Sequence, residues 1–213
     1  MHVAELWRYP VKSLAGEPIR ATDLSTSGMQ GDRLVHVQDQ RGGIVTSRTR
    51  PKLLGLRGTL DDQGHALIGG RPWMDPASLD AIRAAAGDGT RLVRYEGLER
   101  FDVLPLLIAT DGAIAQLGVD RRRLRPNIVV GGVEGLAERE WPGLRLRIGD
   151  TAIVAVAQLR GRCIMTTFDP DTQEQDLSVL RKIRKEFGGT MALDCDVIQG
   201  GRVSLGDSVT LLD

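Results

Sequence analysis

One stretch organises the rest of this chain: Arg160-Gly161-Arg162-Cys163-Ile164-Met165-Thr166-Thr167-Phe168-Asp169-Pro170-Asp171-Thr172. It follows a β-rich run, ends in a turn, and places a single thiol between an arginine and an apolar pair. A lone cysteine in such a place is most often a small buried hydrophobe. The other interpretation, in which Cys163 is a metal ligand, depends on residues far away in the sequence.

The composition is that of an ordinary globular protein. Of 213 residues, 41% are hydrophobic and 26% charged, and the 28 basic residues balance the 28 acidic ones. Zero net charge argues against a general binder of nucleic acid or of a membrane surface. The sequence contains no apolar run approaching the ~18–20 residues of a membrane span, and its first residues do not resemble a secretory signal. We therefore expect a cytoplasmic protein.

The two cysteines, Cys163 and Cys195, lie far apart and lack CxxC spacing. This spacing argues against both a disulfide framework and a structural zinc site. We expect Cys195 to be a buried structural residue.

Short alternating apolar runs predict a strand-rich α+β fold. The first third reads as a small β meander that includes a hairpin of residues 53–60 and 65–68. Residues 144–148 and 151–159 predict a second hairpin. A helix is predicted over residues 76–86 with Asp75 as its N-cap, and another begins at Thr110. A third, over residues 177–187, would bury Leu177, Leu180, Ile183 and Phe187 on one face.

Conventional catalytic patterns are weak in this sequence. The three histidines all lie in the first third, and no P-loop, G-x-S-x-G or G-x-G-x-x-G motif is present. A Cys–His hydrolase would need a base within hydrogen-bond reach of Cys163, which sequence cannot show. The basic run 121–123 is either a solvated helix end or an anion site, and residues 169–172 favour a turn over a catalytic carboxylate pair.

Polar and cationic residues gather where predicted strands end. Lys12 and Ser13 follow a strand stopped by Pro10, Arg33 follows a glycine turn, and Arg125 and Asn127 flank the start of another strand. Loops at strand ends concentrate ligand-binding groups. These side chains suit a phosphorylated cofactor rich in hydrogen-bonding groups, and a nearby thiolate would be a soft ligand for a transition metal.

Four motifs in order then resemble one family, the MOSC proteins, named after the C-terminal domain of molybdenum-cofactor sulfurase. They are Tyr9-Pro10-Val11-Lys12-Ser13, Gly31-Asp32-Arg33, Arg125-Pro126-Asn127-Ile128-Val129, and the stretch from Arg162 to Thr172. Their order and spacing resemble the branch that includes the mitochondrial amidoxime-reducing component and its bacterial relatives. The resemblance implies a MOSC β-barrel with flanking helices over residues 87–213, preceded by a small β-rich N-terminal MOSC region over residues 1–86.

The resemblance also implies a site for the molybdenum cofactor (Mo-molybdopterin). Cys163 would be the thiolate bound to molybdenum, with Arg162 beside the metal as a second catalytic residue. Thr110 would be a further cofactor contact at a helix start, where a phosphate is favoured. The remaining residues that would hold the pterin and its phosphate are Lys12, Ser13, Arg33, Arg125 and Asn127.

The implied activity is a two-electron reduction that removes oxygen from small N-hydroxylated substrates: amidoximes, hydroxylamines or N-hydroxylated bases. No iron–sulfur extension is expected, so electrons would come from separate proteins, a flavin reductase with or without a cytochrome b5-like or ferredoxin-like carrier. Neither a membrane nor nucleic acid is expected as a partner. Two other functions stay open: a cofactor or sulfur carrier using a Cys163 persulfide without turnover, and a non-catalytic binding domain with Cys163 in its core.

Overall fold

The computed structural model describes residues 1–95, 97 and 100–212. Its α-helices among these residues are α1 (Pro76–Ala86), α2 (Asp111–Leu117) and α3 (Leu177–Glu186). The strands are β1 His2–Arg8, β2 Glu17–Ile19, β3 Ala21–Ser25, β4 Gly28–Met29, β5 Val35–Gln38, β6 Ile44–Val45, β7 Gly58–Leu60, β8 Ala66–Ile68, β9 Arg71–Pro72, β10 Arg91–Arg94, β11 Leu106–Thr110, β12 Ile128–Gly131, β13 Arg145–Ile148, β14 Ala152–Gly161, β15 Thr190–Gln199, β16 Gly201–Ser204 and β17 Val209–Leu212. The strand-rich α+β class is confirmed.

The largest sheet has eight strands in the order β17-β13-β14-β15-β11-β12-β1-β2. Neighbours are antiparallel except β11 and β12. Backbone hydrogen bonds also join β1 to the start of β17, from Val3 N to Asp207 O (2.8 Å) and from Val209 N to Met1 O (3.0 Å). Seven of the eight strands are therefore linked in a circuit, which leaves few unpaired edges.

The interior of this circuit is filled by alternate residues of each strand. In β13, Leu146 and Ile148 are fully buried while Arg145 and Arg147 are exposed, as expected for strands with one face to the core. Cys195 on β15 belongs to the same core and is 0% exposed. Burial raises the pKa of its thiol, so its predicted structural role is confirmed.

A second core lies under the N-terminal three-stranded sheets and α1. It contains Val35 and Val37 of β5, Ile68 of β8 and Ile82 of α1, all at most 3% exposed. The N-terminal strands do not all remain on this side, because β1 pairs with β12 and β3 with β16. The predicted division between residues 1–86 and 87–213 stays a prediction.

Helix starts follow the predicted capping chemistry. The Asp75 carboxylate accepts a hydrogen bond from Ala77 N (2.8 Å) at the start of α1, and Thr110 Oγ1 accepts one from Ala113 N (3.2 Å) at the start of α2. None of the helices in the described ranges is both long enough and apolar enough to cross a bilayer.

Two local predictions are wrong. Residues 53 and 54 lie in a short 3₁₀ helix, Pro51–Gly55, and the strand begins only at Gly58. Pro51 presets a helical φ at its first position, and Leu53 then reaches the N-terminal core. Leu177 is 49% exposed, because the buried face of α3 is centred on Val179, Leu180 and Ile183 and Leu177 lies roughly 110° around the helix axis from it.

Candidate functional site

Three cavities meet between the N-terminal region and the eight-stranded sheet, and Arg125 and Met165 line all of them. The Cys163 cavity, about 310 Å³, is lined by Cys163 and residues of β14 and β15. The Lys12 pocket, about 40 Å³, contains Lys12, Ser13 and Arg33. The Trp7 cavity, about 480 Å³, is lined by Trp7, Tyr9 and Phe168 among others.

Cys163 is held at the end of the long strand β14. The backbone N–H of Arg162 donates to Gly189 O (2.9 Å), and Thr166 Oγ1 donates to Cys163 O (2.9 Å) as the chain turns into the 3₁₀ helix Ile164–Thr167. Cys163 is half-buried and lines its cavity, whereas Cys195 is enclosed in the core. Of the two thiols, only that of Cys163 can reach a ligand in this cavity.

The Cys163 cavity is strongly cationic. Two aspartates, Asp102 and Asp194, face an excess of arginines. A cleft lined by one sign of charge favours a ligand of the opposite sign. The six lining arginines are Arg33, Arg48, Arg123, Arg125, Arg160 and Arg162.

Three of the predicted cofactor residues have a left-handed backbone. The φ angles of Ser13, Arg33 and Arg125 are 73°, 51° and 57°. A non-glycine residue in this region costs roughly 1–2 kcal/mol, and such conformations cluster at ligand sites. The surrounding hydrogen bonds maintain them, for example from Arg33 N to Tyr9 O (2.8 Å).

Arg125 stacks on an aromatic ring. Its guanidinium carbon lies 4.3 Å from the centroid of the Tyr9 ring, and Tyr9 OH donates to Pro126 O (3.2 Å). Burial lowers the pKa of Arg125 and raises the pKa of Tyr9 to about 12. No carboxylate within the described residues forms an ion pair with Arg125. A half-buried cation without a counter-ion favours an anionic ligand beside it.

Arg162 also has unused hydrogen-bonding capacity. Its Nη2 donates to Leu124 O (2.7 Å), but its buried Nε has no partner in the described part of the chain. Burial lowers the pKa of Arg162 to about 10, which leaves it charged at neutral pH. An orphaned buried donor is uncommon in folded proteins and is explained most simply by a ligand.

Lys12 is held by two protein groups. Its Nζ lies 2.7 Å from Asp102 Oδ1 and donates to Arg100 O at 2.9 Å. Burial raises the pKa of the Asp102 carboxyl, but the hydrogen bond and charge of Lys12, with the charges of Arg48 and Arg33, outweigh it and lower the pKa overall. Asp102 is therefore an anion at neutral pH.

Two predicted cofactor residues lie elsewhere. Asn127 is fully buried, and its amide accepts from Leu107 N (3.1 Å) and donates to Trp7 O (3.4 Å). Thr110 is equally buried; its hydroxyl caps α2 and donates to Glu138 Oε2 (3.2 Å). Neither is among the residues that line the three cavities, and their cofactor contacts stay predictions.

The basic run and the acidic turn pair with each other. Arg122 Nη2 lies 2.7 Å from Asp171 Oδ2, and Arg123 Nη2 lies 3.0 Å from Asp169 Oδ2. Asp169 Oδ1 also accepts from the backbone N–H of Asp171 and Thr172, which is the hydrogen bonding of a turn. The turn interpretation is confirmed, and these two arginines already have carboxylate partners.

Sequence reasoning missed four charged residues of the Cys163 cavity. Arg160 could have been found, because it lies two residues before Arg162, and continuing the alternation of β14 by one residue places both on the same face. Arg48, Asp102 and Asp194 carry no local signal, since they reach the cavity only through tertiary contacts. The described residues contain no group of three or more His, Cys, Asp or Glu side chains arranged to hold a metal ion.

The chain aligns with known proteins over nearly its whole length. The chain is 28% identical over 285 aligned positions to mitochondrial amidoxime-reducing component 1 of Homo sapiens, covering 99% of this chain and 82% of that protein. It is 27% identical to human mitochondrial amidoxime reducing component 2, covering 85% and 72%. The YUAD protein from Bacillus subtilis shares the fold with a TM-score of 0.50 at 14% identity, covering 98% and 93% of the two chains.

Two family models account for almost all residues. The model for the MOSC N-terminal beta barrel domain matches residues 1–102. The model for the MOSC domain matches residues 108–210, which include the Cys163 stretch. The chain belongs to the MOSC family.

Proposed function

We propose that this chain is a molybdenum-cofactor-binding oxidoreductase that reduces N-hydroxylated substrates by oxygen removal at a Cys163-ligated molybdenum. One observation supports the proposal most: an accessible thiol shares a cavity of about 310 Å³ with six arginines and only two aspartates. A thiolate is a soft metal ligand, and the excess of cations suits a phosphorylated cofactor. The relatives named amidoxime-reducing components agree with this chemistry.

The residues present fit such a cofactor. The buried, orphaned Nε of Arg162 and the half-buried, unpaired guanidinium of Arg125 are donors that an anionic group would satisfy. Lys12, Ser13 and Arg33 line the adjoining Lys12 pocket and would offer a phosphate one ammonium, one hydroxyl and one guanidinium, beside the guanidinium groups of Arg48 and Arg125. Cys163 would be the metal ligand from the protein. Asn127 and Thr110 would support the site from their buried positions.

When bound, the cofactor supplies a two-electron couple for cleaving an N–O bond. The chain's own residues would hold the cofactor and orient the substrate. Arg125 stacks on Tyr9, so its guanidinium is oriented before a ligand arrives. Arg162 is anchored to Leu124 O beside Cys163, and both residues line the same cavity. Met165 and Leu107 provide apolar walls that limit water.

Electrons would come from separate proteins, a flavin reductase with or without a cytochrome b5-like or ferredoxin-like carrier. The described residues hold no cluster of metal-binding side chains for a second redox centre. Amidoximes, hydroxylamines and N-hydroxylated bases are small enough to enter the cavities beside Arg125.

Metal and pterin analysis of protein made in a host that synthesises the cofactor tests this proposal. We expect about one molybdenum and one pterin per chain, loss of the metal in Cys163→Ala, and reduction of benzamidoxime with an artificial electron donor. Cys195→Ala is the matched control, because it removes the other thiol from the core and should keep its metal.

Protein without molybdenum, or with unchanged metal content in Cys163→Ala, would contradict the proposal. Full loading without reduction of benzamidoxime or hydroxylaminopurine would indicate the carrier function instead.

A further inference from the structure

Asp102 joins cations from both sides of the Cys163 cavity. Its Oδ1 lies 2.7 Å from Lys12 Nζ, and its Oδ2 lies 3.0 Å from Arg48 Nη2 and 3.8 Å from Arg160 Nη2. Lys12 and Arg48 belong to the N-terminal region, whereas Arg160 belongs to β14 of the eight-stranded sheet. A single carboxylate thus bridges the two halves of the molecule at the cavity.

Three cationic donors around one pair of oxygens form the arrangement that a bound phosphate or carboxylate ligand requires. We propose that Lys12, Arg48 and Arg160 form an oxyanion-binding site, that the Asp102 carboxylate occupies it as an internal counter-ion, and that an anionic ligand of the Cys163 cavity displaces Asp102. The inference rests on the proposed function for the identity of the natural ligand. Its anion chemistry does not require a metal.

A ligand can displace the Asp102 carboxylate from these cations. Its side chain is 37% exposed, and that of its partner Arg48 is 46% exposed. It lies between β10 and β11, outside any helix or strand. Ion pairs with this exposure are individually weak because water and salt screen them. A stronger anion, with more oxygens and more charge, can therefore replace this carboxylate.

Two of the three cations have other protein partners. Arg160 Nη1 lies 2.9 Å from Asp194 Oδ1, and the Asp194 side chain is only 2% exposed. Gln158 Nε2 also donates to Asp194 (3.3 Å). Lys12 keeps its hydrogen bond to Arg100 O. When Asp102 leaves, Arg160 and Lys12 thus keep partners that hold them in place.

Displacement also changes the charge of the cavity. With Asp102 in place, two aspartates face six arginines; without it, only Asp194 remains. The lowered pKa of Asp102 means that it competes as a charged group at neutral pH. The cavity then attracts an anion most strongly once the internal counter-ion has moved aside.

Titration of the full chain, prepared from a host that cannot make the pterin cofactor, tests the inference with inorganic phosphate and pyrophosphate as probes. Calorimetry gives the dissociation constants, and thermal unfolding checks that each variant is folded. Asp102→Asn should bind phosphate roughly tenfold more tightly than the unmodified chain, because it removes a screened competitor of similar geometry. Asp80→Asn is the matched control: it removes an exposed carboxylate of α1 and should change nothing.

Two further variants test the cations. Adding Arg48→Gln to Asp102→Asn should reverse most of the gain. The double variant Arg160→Gln/Asp194→Asn removes the third cation together with its buried counter-ion and should also bind phosphate more weakly.

Unchanged or weaker phosphate binding by Asp102→Asn would overturn the inference, as would full retention of the gain without Arg48. The same titration on cofactor-loaded protein identifies the source of the oxyanion. If cofactor-loaded protein no longer binds the added phosphate, the cofactor's own phosphate occupies the site. If it still binds phosphate, the site is assigned to the anionic group of a substrate. Both outcomes support the oxyanion site. A failed reductase assay beside a successful titration would remove the proposed function alone.

Discussion

Arg125 is the residue whose removal should separate cofactor binding from folding most clearly. It lines all three cavities, stacks on Tyr9 at 4.3 Å from the ring centroid, and has no ion-pair partner within the described chain. Arg125→Ala removes charge-assisted hydrogen bonds to an anionic ligand, worth about 1.5–3 kcal/mol. That loss corresponds to roughly a 10- to 150-fold weaker cofactor affinity.

The free energy of unfolding should change much less. The lost stacking on Tyr9 costs about 0.5–2 kcal/mol, and removal of a half-buried charge that has no carboxylate partner offsets part of this cost. Arg125→Gly adds a second comparison, because φ at this position is 57° and glycine adopts that region without the roughly 1–2 kcal/mol paid by alanine. Arg125→Gly should thus be the more stable variant by about 1 kcal/mol, with the same loss of cofactor.

The assay is molybdenum and pterin content after dialysis, measured beside urea unfolding of the same preparations. Arg145→Ala is the control for charge, since Arg145 is exposed on β13 and lines none of the three cavities. Cofactor content at the level of the unmodified protein in both Arg125 variants would refute the reasoning. Equal losses in Arg125→Ala and Arg145→Ala would refute it as well, because net charge alone would then explain the effect.

Three further predictions concern stability. Cys195→Ser should lower the free energy of unfolding by about 1–3 kcal/mol, because it buries a hydroxyl among apolar side chains, and calorimetry should show this loss with the metal retained. Asp75→Ala should cost about 1 kcal/mol in urea unfolding by removing the N-cap of α1, while Asp62→Ala in an exposed turn should cost nothing measurable. For Asp111, burial raises the pKa, but hydrogen bonds from Gly132 N (2.7 Å) and Val133 N (3.0 Å) lower it overall. Its stabilisation is therefore present above the unfolded pKa near ~4 and lost as pH falls through the lower folded value, so the deficit of Asp111→Ala at pH ~7 should shrink as the pH falls below ~4.

Local chemistry explains what was predictable about the fold. Alternation along β13 and β14 depends only on which residues avoid water, and the caps at Asp75 and Thr110 depend on a side chain and a backbone group two or three residues away. Such features are contained in short windows of sequence. The 3₁₀ helix Pro51–Gly55 was missed because its leucines, taken alone, suit a strand equally well.

By itself, the sequence determined the strand-rich class, the helix starts and the motif that contains Cys163. Tertiary structure alone decided that Cys163 opens into a cavity while Cys195 is enclosed, and that Arg48 and Asp102 meet Arg160 there. It also decided that the Asn127 amide hydrogen-bonds to the backbone and that the Thr110 hydroxyl hydrogen-bonds to Glu138. The physical reason is range: propensity and capping act within a few residues, whereas an excess of cations around one thiol exists only after distant strands have paired.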